Sequence, residues 1–288
     1  MKKKIGVFDV VLNSFMVVLI FLWLFPIWYV FVIAASTPES FLNNRSHLWI
    51  TEFTVENFIN VFQTDAVPRA LFMSISVTTV GTAFALLLTI PCAYAIANTK
   101  FGAAKFFSLI TIIPMLFTGG LIPYYLQVVR LGLPDTFWVL FLPVAVSPFN
   151  LLIAKSFMRT LDKNMEEAAF IDGASHMTIF TRIVAPLSKP LIAALGLFYA
   201  VALYNDFFTP MLFLHNRDLY PIQMLLREMV INNEGLSRIA AQMRGARGFV
   251  PEPFQMATVI VGLLPIVIIF PFIQRFFTSG IMLGAVKE

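Results

Sequence analysis

Charge is the first thing this 288-residue sequence lacks: Asp, Glu, Lys and Arg make up 12% of it, against about 25% in a soluble domain. Hydrophobic residues fill 59%, with phenylalanine alone occurring 31 times. So few charges cannot clothe a water-facing surface of this size, and the apolar surface must face lipid. A soluble enzyme and a disordered tail are excluded. Basic residues come in ones and twos without a clustered stripe, which excludes a nucleic-acid partner despite the net charge of +4. The single cysteine, Cys92, allows no internal disulfide. His47, His176 and His215 lie far apart with no ligand at metal-binding spacing. There is no Gly-x-x-x-x-Gly-Lys-Ser/Thr phosphate loop, no Gly-x-Ser-Gly element and no metal-binding His pair, so the chain carries neither a nucleotide motor nor an intramembrane enzyme.

What is present is long apolar runs. Five lack any charged residue: Val10–Pro38 (29 residues), Ala70–Thr99 (30), Phe106–Val129 (24), Thr136–Ala154 (19) and Pro253–Gln274 (22). A sixth, Pro190–Asn216, has 27 residues and one interruption, Asp206. About 20 apolar residues cross a bilayer as a helix, and backbone groups in lipid must be satisfied internally. The pattern predicts an all-α, six-span membrane protein. Lys2, Lys3 and Lys4 before the first run resemble a signal peptide, but a signal's apolar core is only about 7–15 residues, and this run reads as a retained anchor.

Six spans place both termini on one side. With the N-terminus inside, the inner segments hold 12 basic residues against six acidic ones, and all nine lysines are among them. The eight basic residues left outside are all arginine. That asymmetry is a positive-inside signature and predicts cytoplasmic termini. The expected divisions are a cytoplasmic N-terminus (1–9), a first span with a long outer loop (10–69), a core of spans two to six (70–277) and a cytoplasmic tail (278–288). A third outer loop, 217–252, carries a short helix around Ile222–Val230.

The inner linker between spans four and five, residues 155–190, is too long for a turn. Asn164 and Glu167 have the spacing of a helix-capping pair, and Met165, Ala168 and Ala169 follow on one face. Gly173 permits a backbone reversal. A second segment resumes after Ser175 with Ile179, Phe180, Ile183 and Val184 as its apolar face, and Pro186 and Pro190 close it.

Here the sequence resembles a known family. Glu167-Ala168-Ala169, Gly173 after three intervening residues, Ile183 after nine more and then Pro186 match the EAA signature of ABC-importer permease subunits, with Asp172-Gly173-Ala174 also typical. Ala185 stands where the pattern usually has leucine. The resemblance extends over nearly the whole chain and is greatest to the six-span carbohydrate-uptake branch of the maltose-permease G type. Gly119-Gly120-Leu121-Ile122-Pro123-Tyr124-Tyr125 and the tail Ser279–Lys287 are similar to a subgroup associated with complex or acidic oligosaccharides. Tyr204-Asn205-Asp206-Phe207 is similar to that branch's Trp-Asn-Asp-Phe stretch.

The resemblance implies a non-catalytic translocation subunit, with Glu167, Ala168, Ala169, Asp172, Gly173, Ala174, Ile183 and Pro186 forming a coupling helix that docks on an ATPase. It implies a heterodimer with a homologous second permease, two cytoplasmic ATPase subunits that bind the ATP and Mg, and an outer solute-binding protein. It also implies a bacterial cytoplasmic membrane location, with no cofactor on this chain. A six-span secondary transporter or channel is the competing reading, and it would need ion-coupling carboxylates or a filter-like loop. Asp206 is the one acid inside a span, either a sugar-hydroxyl acceptor or an acceptor for backbone amides freed near Pro210. Tyr124, Tyr125, Asn150, Tyr204 and Asn205 are candidates to line a sugar pathway, although tyrosines also favour membrane interfaces. Arg238, Arg244 and Arg247 either dock a binding protein, attract a carboxylated glycan or are ordinary solvated side chains.

Overall fold

A computed structural model describes residues 6–44, 46–98, 102–232 and 250–284. The described residues are almost wholly helical, with one isolated β-bridge between Ser36 and Phe53. They divide into two compact units: Met1–Pro68 with Leu225–Leu264, and Arg69–Met224 with Pro265–Glu288.

The first unit opens with α1 (Val7–Ala34), which runs unbroken through Pro26. Its apolar side chains are exposed along most of its length, Trp23 by 78%, while Val32–Ala35 at its end are buried. Two polar side chains fold the following segment back onto that end. Asn57 Nδ2 donates to the carbonyls of Ala34 (2.9 Å) and Ser36 (3.0 Å), and Trp28 Nε1 donates to that of Leu48 (3.0 Å). Helices α2 (Pro38–Asn43, capped by Thr37) and α3 (Glu56–Gln63) complete this segment.

The second unit is built on α4 (Ala66–Ala97), whose apolar length suffices to cross a membrane, as do those of α1 and the first part of the last helix. The remaining apolar runs are each interrupted. The third divides into α5 (Ala104–Leu116) and α6 (Leu121–Arg130). Phe117 takes an extended conformation there, and Gly120 a positive φ of 85° that favours glycine. The fourth divides into a 3₁₀ pair (Phe137–Leu140 and Leu142–Val144) and α7 (Pro148–Met158), bent by 51°. Pro148 accounts for that break, because it holds Ser147 out of the helical region, and the Ser147 hydroxyl caps α7 by accepting from Asn150 N. The fifth divides into α10 (Lys189–Tyr204) and α11 (Phe208–Phe213). Two linker helices precede it, α8 (Lys163–Ile171) and α9 (His176–Leu187). After α11 come α12 (Ile222–Arg227) and α13 (Pro251–Gly284), the latter shared between the two units. Among the described residues, three helices are continuous and long enough to cross a membrane and two bent pairs bring the number to five, while the third run holds the shorter α5 and α6.

Two apolar clusters hold the second unit. Ile90, Ala93, Leu151, Ala154, Ile179 and Leu195 belong to one, and Val77, Val139, Phe213 and Tyr220 to the other. Tyr199 pins three elements through one phenolic oxygen, which is 2.7 Å from Thr89 Oγ1 and accepts from Ser147 N at 3.1 Å. Near the opposite end, Asp135 accepts from the backbone amides of His215 (2.5 Å) and Asn216 (2.8 Å) and faces His215 Nδ1 at 3.2 Å. Arg69 pairs with Asp218 close by.

Candidate functional site: a helical elbow and a polar cavity

The linker 155–190 folds as an elbow. Leu161 packs against the first cluster and fixes the end of α7, so the chain reverses immediately after it. The cap of α8 is consequently Asp162, whose carboxylate accepts from Asn164 N at 2.9 Å. The expected Asn164–Glu167 capping pair is not what starts this helix. Its C-terminus does follow expectation. Gly173 has φ +81°, its N–H bonds to the Phe170 carbonyl (3.0 Å), and the Ala174 N–H bonds to that of Ala169 (2.9 Å), the paired arrangement of a Schellman motif. A Cβ at Gly173 would meet nothing within 4 Å, so the backbone angle alone demands glycine.

Ser175 caps the second arm by accepting from Thr178 N at 3.2 Å. The arm α9 passes through a π-turn at Phe180–Val184 just before Pro186, which has no N–H to offer the carbonyl one turn back. Pro186 lies inside α9 and does not end it. The bend of 77° into α10 falls at Ser188, which is wholly buried.

The elbow is half anchored and half bare. Ile179 and Val184 are buried in the first cluster, with Ala169, Ala174, Phe180 and Ile183 packed against it. Phe170 meets His176 edge-on at 4.7 Å across the bend. Tyr94 of α4 stacks near Phe180 at 5.4 Å and donates its hydroxyl to Glu166 Oε2 at 3.1 Å. On the other face Glu167, Ala168 and Asp172 are exposed, together with the apolar Met165 (47%), Ile171 (86%) and Met177 (69%). Of the eight motif residues, the fold draws Ala169, Ala174 and Ile183 inward, spends Gly173 on the bend and leaves Glu167, Ala168, Asp172 and Pro186 outward.

The pathway candidates separate into three groups. Asn150, Asn205 and Asp206 line one cavity of about 520 Å³ together with Ser147, Phe198 and Tyr199. Tyr204 lines a different, apolar cavity beside Thr78 and Pro265. Tyr124 and Tyr125 pack on Phe213, edge-on at 5.8 Å and stacked at 5.4 Å respectively, away from both. Asp206 Oδ1 accepts from the amides of Phe208 (2.9 Å) and Thr209 (3.1 Å), so one of its two carboxylate oxygens caps the start of α11. Asn205 is bound both ways, donating to the Val201 carbonyl (2.9 Å) and accepting from Gln223 (3.5 Å).

No protein-family profile matches the chain. It is 34% identical, over the full length of both proteins, to the polygalacturonan/rhamnogalacturonan transport system permease protein YtcP of Bacillus subtilis (strain 168). The chain belongs to the ABC-importer permease family. A second relative, protein LplC of the same organism, is 39% identical over 90% of this permease and 88% of its own length. At greater distance, the trehalose/maltose transport system permease protein MalG of Thermococcus litoralis is 26% identical over 92% of this permease and 91% of its own chain. The fold matches a crystal structure of a bacterial ABC transporter involved in the import of the acidic polysaccharide alginate, with a TM-score of 0.89, 23% identity and coverage of 96% of the permease and 99% of that chain.

Two features of the permease escaped the sequence reading. Ser147 and Tyr199 complete the cavity lined by Asn150, Asn205 and Asp206; Ser147-Pro148 was a local signal for the first, since a serine before proline is a common helix start, and Tyr199 had none. Tyr94 gave none, because its partner Glu166 is 72 residues away. Arg238, Arg244 and Arg247 lie outside the described residues, as does the end of the tail beyond Gly284.

Proposed function

We propose that this permease is the non-catalytic half of a heterodimeric alternating-access pair that imports acidic oligosaccharides handed over by an outer solute-binding protein. Two cytoplasmic ATPase subunits, which bind the ATP and Mg, drive it through the elbow. Both termini and the elbow then lie in the cytoplasm of a bacterial cell, as the placement of every lysine favours.

The observation that carries this reading is the two-faced elbow. Ala168, flanked by exposed Met165 and Ile171, offers an apolar surface that water would not favour and a partner groove would. Alanine permits close backbone approach without loss of helicity. Glu167, in the first half of α8, supplies a charge for an arginine on the partner. The inner face is fixed to α4, α7 and α10 by Ile179 and Val184, so a push on α8 reaches the spans as a rigid movement. Closure of the ATPases rotates the bundle and opens the cavity outward; reopening returns it. Such coupling requires that the two access states differ in their fit to the closed ATPases. In the cavity, Asn150 and Ser147 hydrogen-bond sugar hydroxyls, while Asp206 holds the α10–α11 break in shape.

Relatives support an acidic substrate. One is named for transport of polygalacturonan and rhamnogalacturonan, and the structural match concerns alginate import. A secondary carrier fits less well, because the one acid within a span already accepts two backbone amides.

Glu167→Lys and Gly173→Pro should each abolish uptake of oligogalacturonate while leaving the protein inserted, with the ATPase lost from copurification. Normal uptake in both variants overturns the coupling role. Equal uptake of oligogalacturonate and neutral malto-oligosaccharide overturns the substrate class alone.

A further inference from the structure

A third cavity, of about 490 Å³, lies where the start of α5 meets the end of α7. Three cations among the described residues line it: Lys105 from α5, Lys155 from α7 and Arg159 at the C-cap of α7. Among the described residues that line it there is neither a carboxylate nor an aromatic ring. The cations are not an accident of one helix. Lys155 and Arg159 suit the negative end of α7, but Lys105 sits in the first turn of α5, the end that disfavours positive charge. That turn has no side-chain cap and no acid, so its amides lack the negative charge a helix start ordinarily receives.

Ser108 organises the site. Its hydroxyl donates to the Ala104 carbonyl at 2.6 Å, which directs a lone pair toward Lys155 Nζ, also at 2.6 Å. The ammonium is thereby held in place with two of its three N–H groups uncommitted to Ser108. Beneath the cations the wall turns apolar with Leu109 and Ile112, and it continues onto the exposed Phe106, Ile110 and Ile113 along α5.

We propose that this cavity binds the phosphate headgroup of an anionic phospholipid from the inner leaflet, with its acyl chains lying along α5. The headgroup supplies the negative charge that the start of α5 and the three cations share, and the apolar wall below suits hydrocarbon. A sugar carboxylate fits less well, since the described lining residues offer no ring on which to stack and Leu109 and Ile112 present an apolar wall. This placement rests on the inward orientation of the linker proposed above.

The test uses the complete importer, purified in mixed micelles of phosphatidylglycerol and phosphatidylcholine and examined by native mass spectrometry. The wild type should retain phosphatidylglycerol over phosphatidylcholine. Retention should fall about fivefold for each of Lys105→Gln, Lys155→Gln and Arg159→Gln. Lys155→Arg, and Lys189→Gln outside the cavity, should retain it. Should Lys155→Gln fail to insert, the variants of the exposed Lys105 and Arg159 give the same reading. Equal retention of both lipids, unchanged retention in the Gln variants, or an equal loss in Lys189→Gln overturns the proposal. Displacement of the lipid by millimolar inorganic phosphate, or by trigalacturonate, overturns it in favour of a free-anion or substrate site. Lipid retention is read without transport, so normal retention with no sugar uptake would fault the importer reading, and the reverse would fault this site alone.

Discussion

The phenolic hydroxyl of Tyr94, near the end of α4, donates to Glu166 Oε2 of α8 over 3.1 Å. This bond joins a membrane helix directly to the elbow, beside the packing of Tyr94 on Phe180. Tyr94→Phe keeps the ring and removes the bond, which at this partly buried position contributes about 1 kcal/mol. ATP-dependent uptake in vesicles should fall roughly threefold to tenfold, while the ATPase still copurifies. Loss of the ATPase from the complex would show instead that Tyr94 maintains the elbow's fold.

At Gly173 the demand is conformational. A Cβ there touches nothing but must accept φ +81°. Gly173→Ala should destabilise the bend by about 1–2 kcal/mol, and Gly173→Asn by less, since asparagine tolerates the left-handed region. Uptake should rank Gly, Asn, Ala, Pro in descending order, and equal uptake by Ala and Gly would contradict the geometry.

Gly81 presents the opposite case. A Cβ there would come within 2.9 Å of Phe141 Cβ and 2.8 Å of Leu203 Cδ1. Gly81→Ala should therefore destabilise the bundle by about 1–3 kcal/mol through overpacking. Thermal unfolding of the detergent-solubilised protein reads this as a lowered midpoint, and an unchanged midpoint would contradict the close approach.

The long runs were legible because continuous hydropathy needs no tertiary context, and the reversal at Gly173 because glycine marks it locally. The interruptions at Phe117–Gly120 and Asn205–Phe207 were not read. The first carries a local signal, Gly119-Gly120 ahead of Pro123, that a count of uncharged residues passes over, and the second is stabilised by Asp206 accepting the Phe208 and Thr209 amides, a choice made by the folded backbone. The cap of α8 was misread because two capping residues, Asp162 and Asn164, stand within reach, and the partly buried Leu161 packs on the first cluster just before the first of them. Division of the pathway candidates among three locations also depended on packing, as with Tyr125 lying flat against Phe213.

Outside the spans, Asp135 accepts the Asn216 and His215 amides, and these hydrogen bonds hold its carboxyl below the ordinary value of 3.8. A depressed folded value stabilises the protein above the unfolded one, and that contribution disappears as pH falls through the lowered value. Asp135→Asn should thus be less stable than wild type near neutrality, with the difference closing only in strong acid below pH 3.8. Unfolding midpoints followed across that range check it, and a gap that persisted unchanged into acid would contradict it.

The central claim is that the bare face of α8 meets the ATPase inside the cell. The direct measurement places a single cysteine at Ala168 in a Cys92→Ala background and asks when it reacts. A membrane-impermeant maleimide should label it in inside-out vesicles and not in right-side-out ones, and assembly with the ATPase should block the labelling. Labelling from outside, or labelling that the ATPase leaves unchanged, would contradict the account.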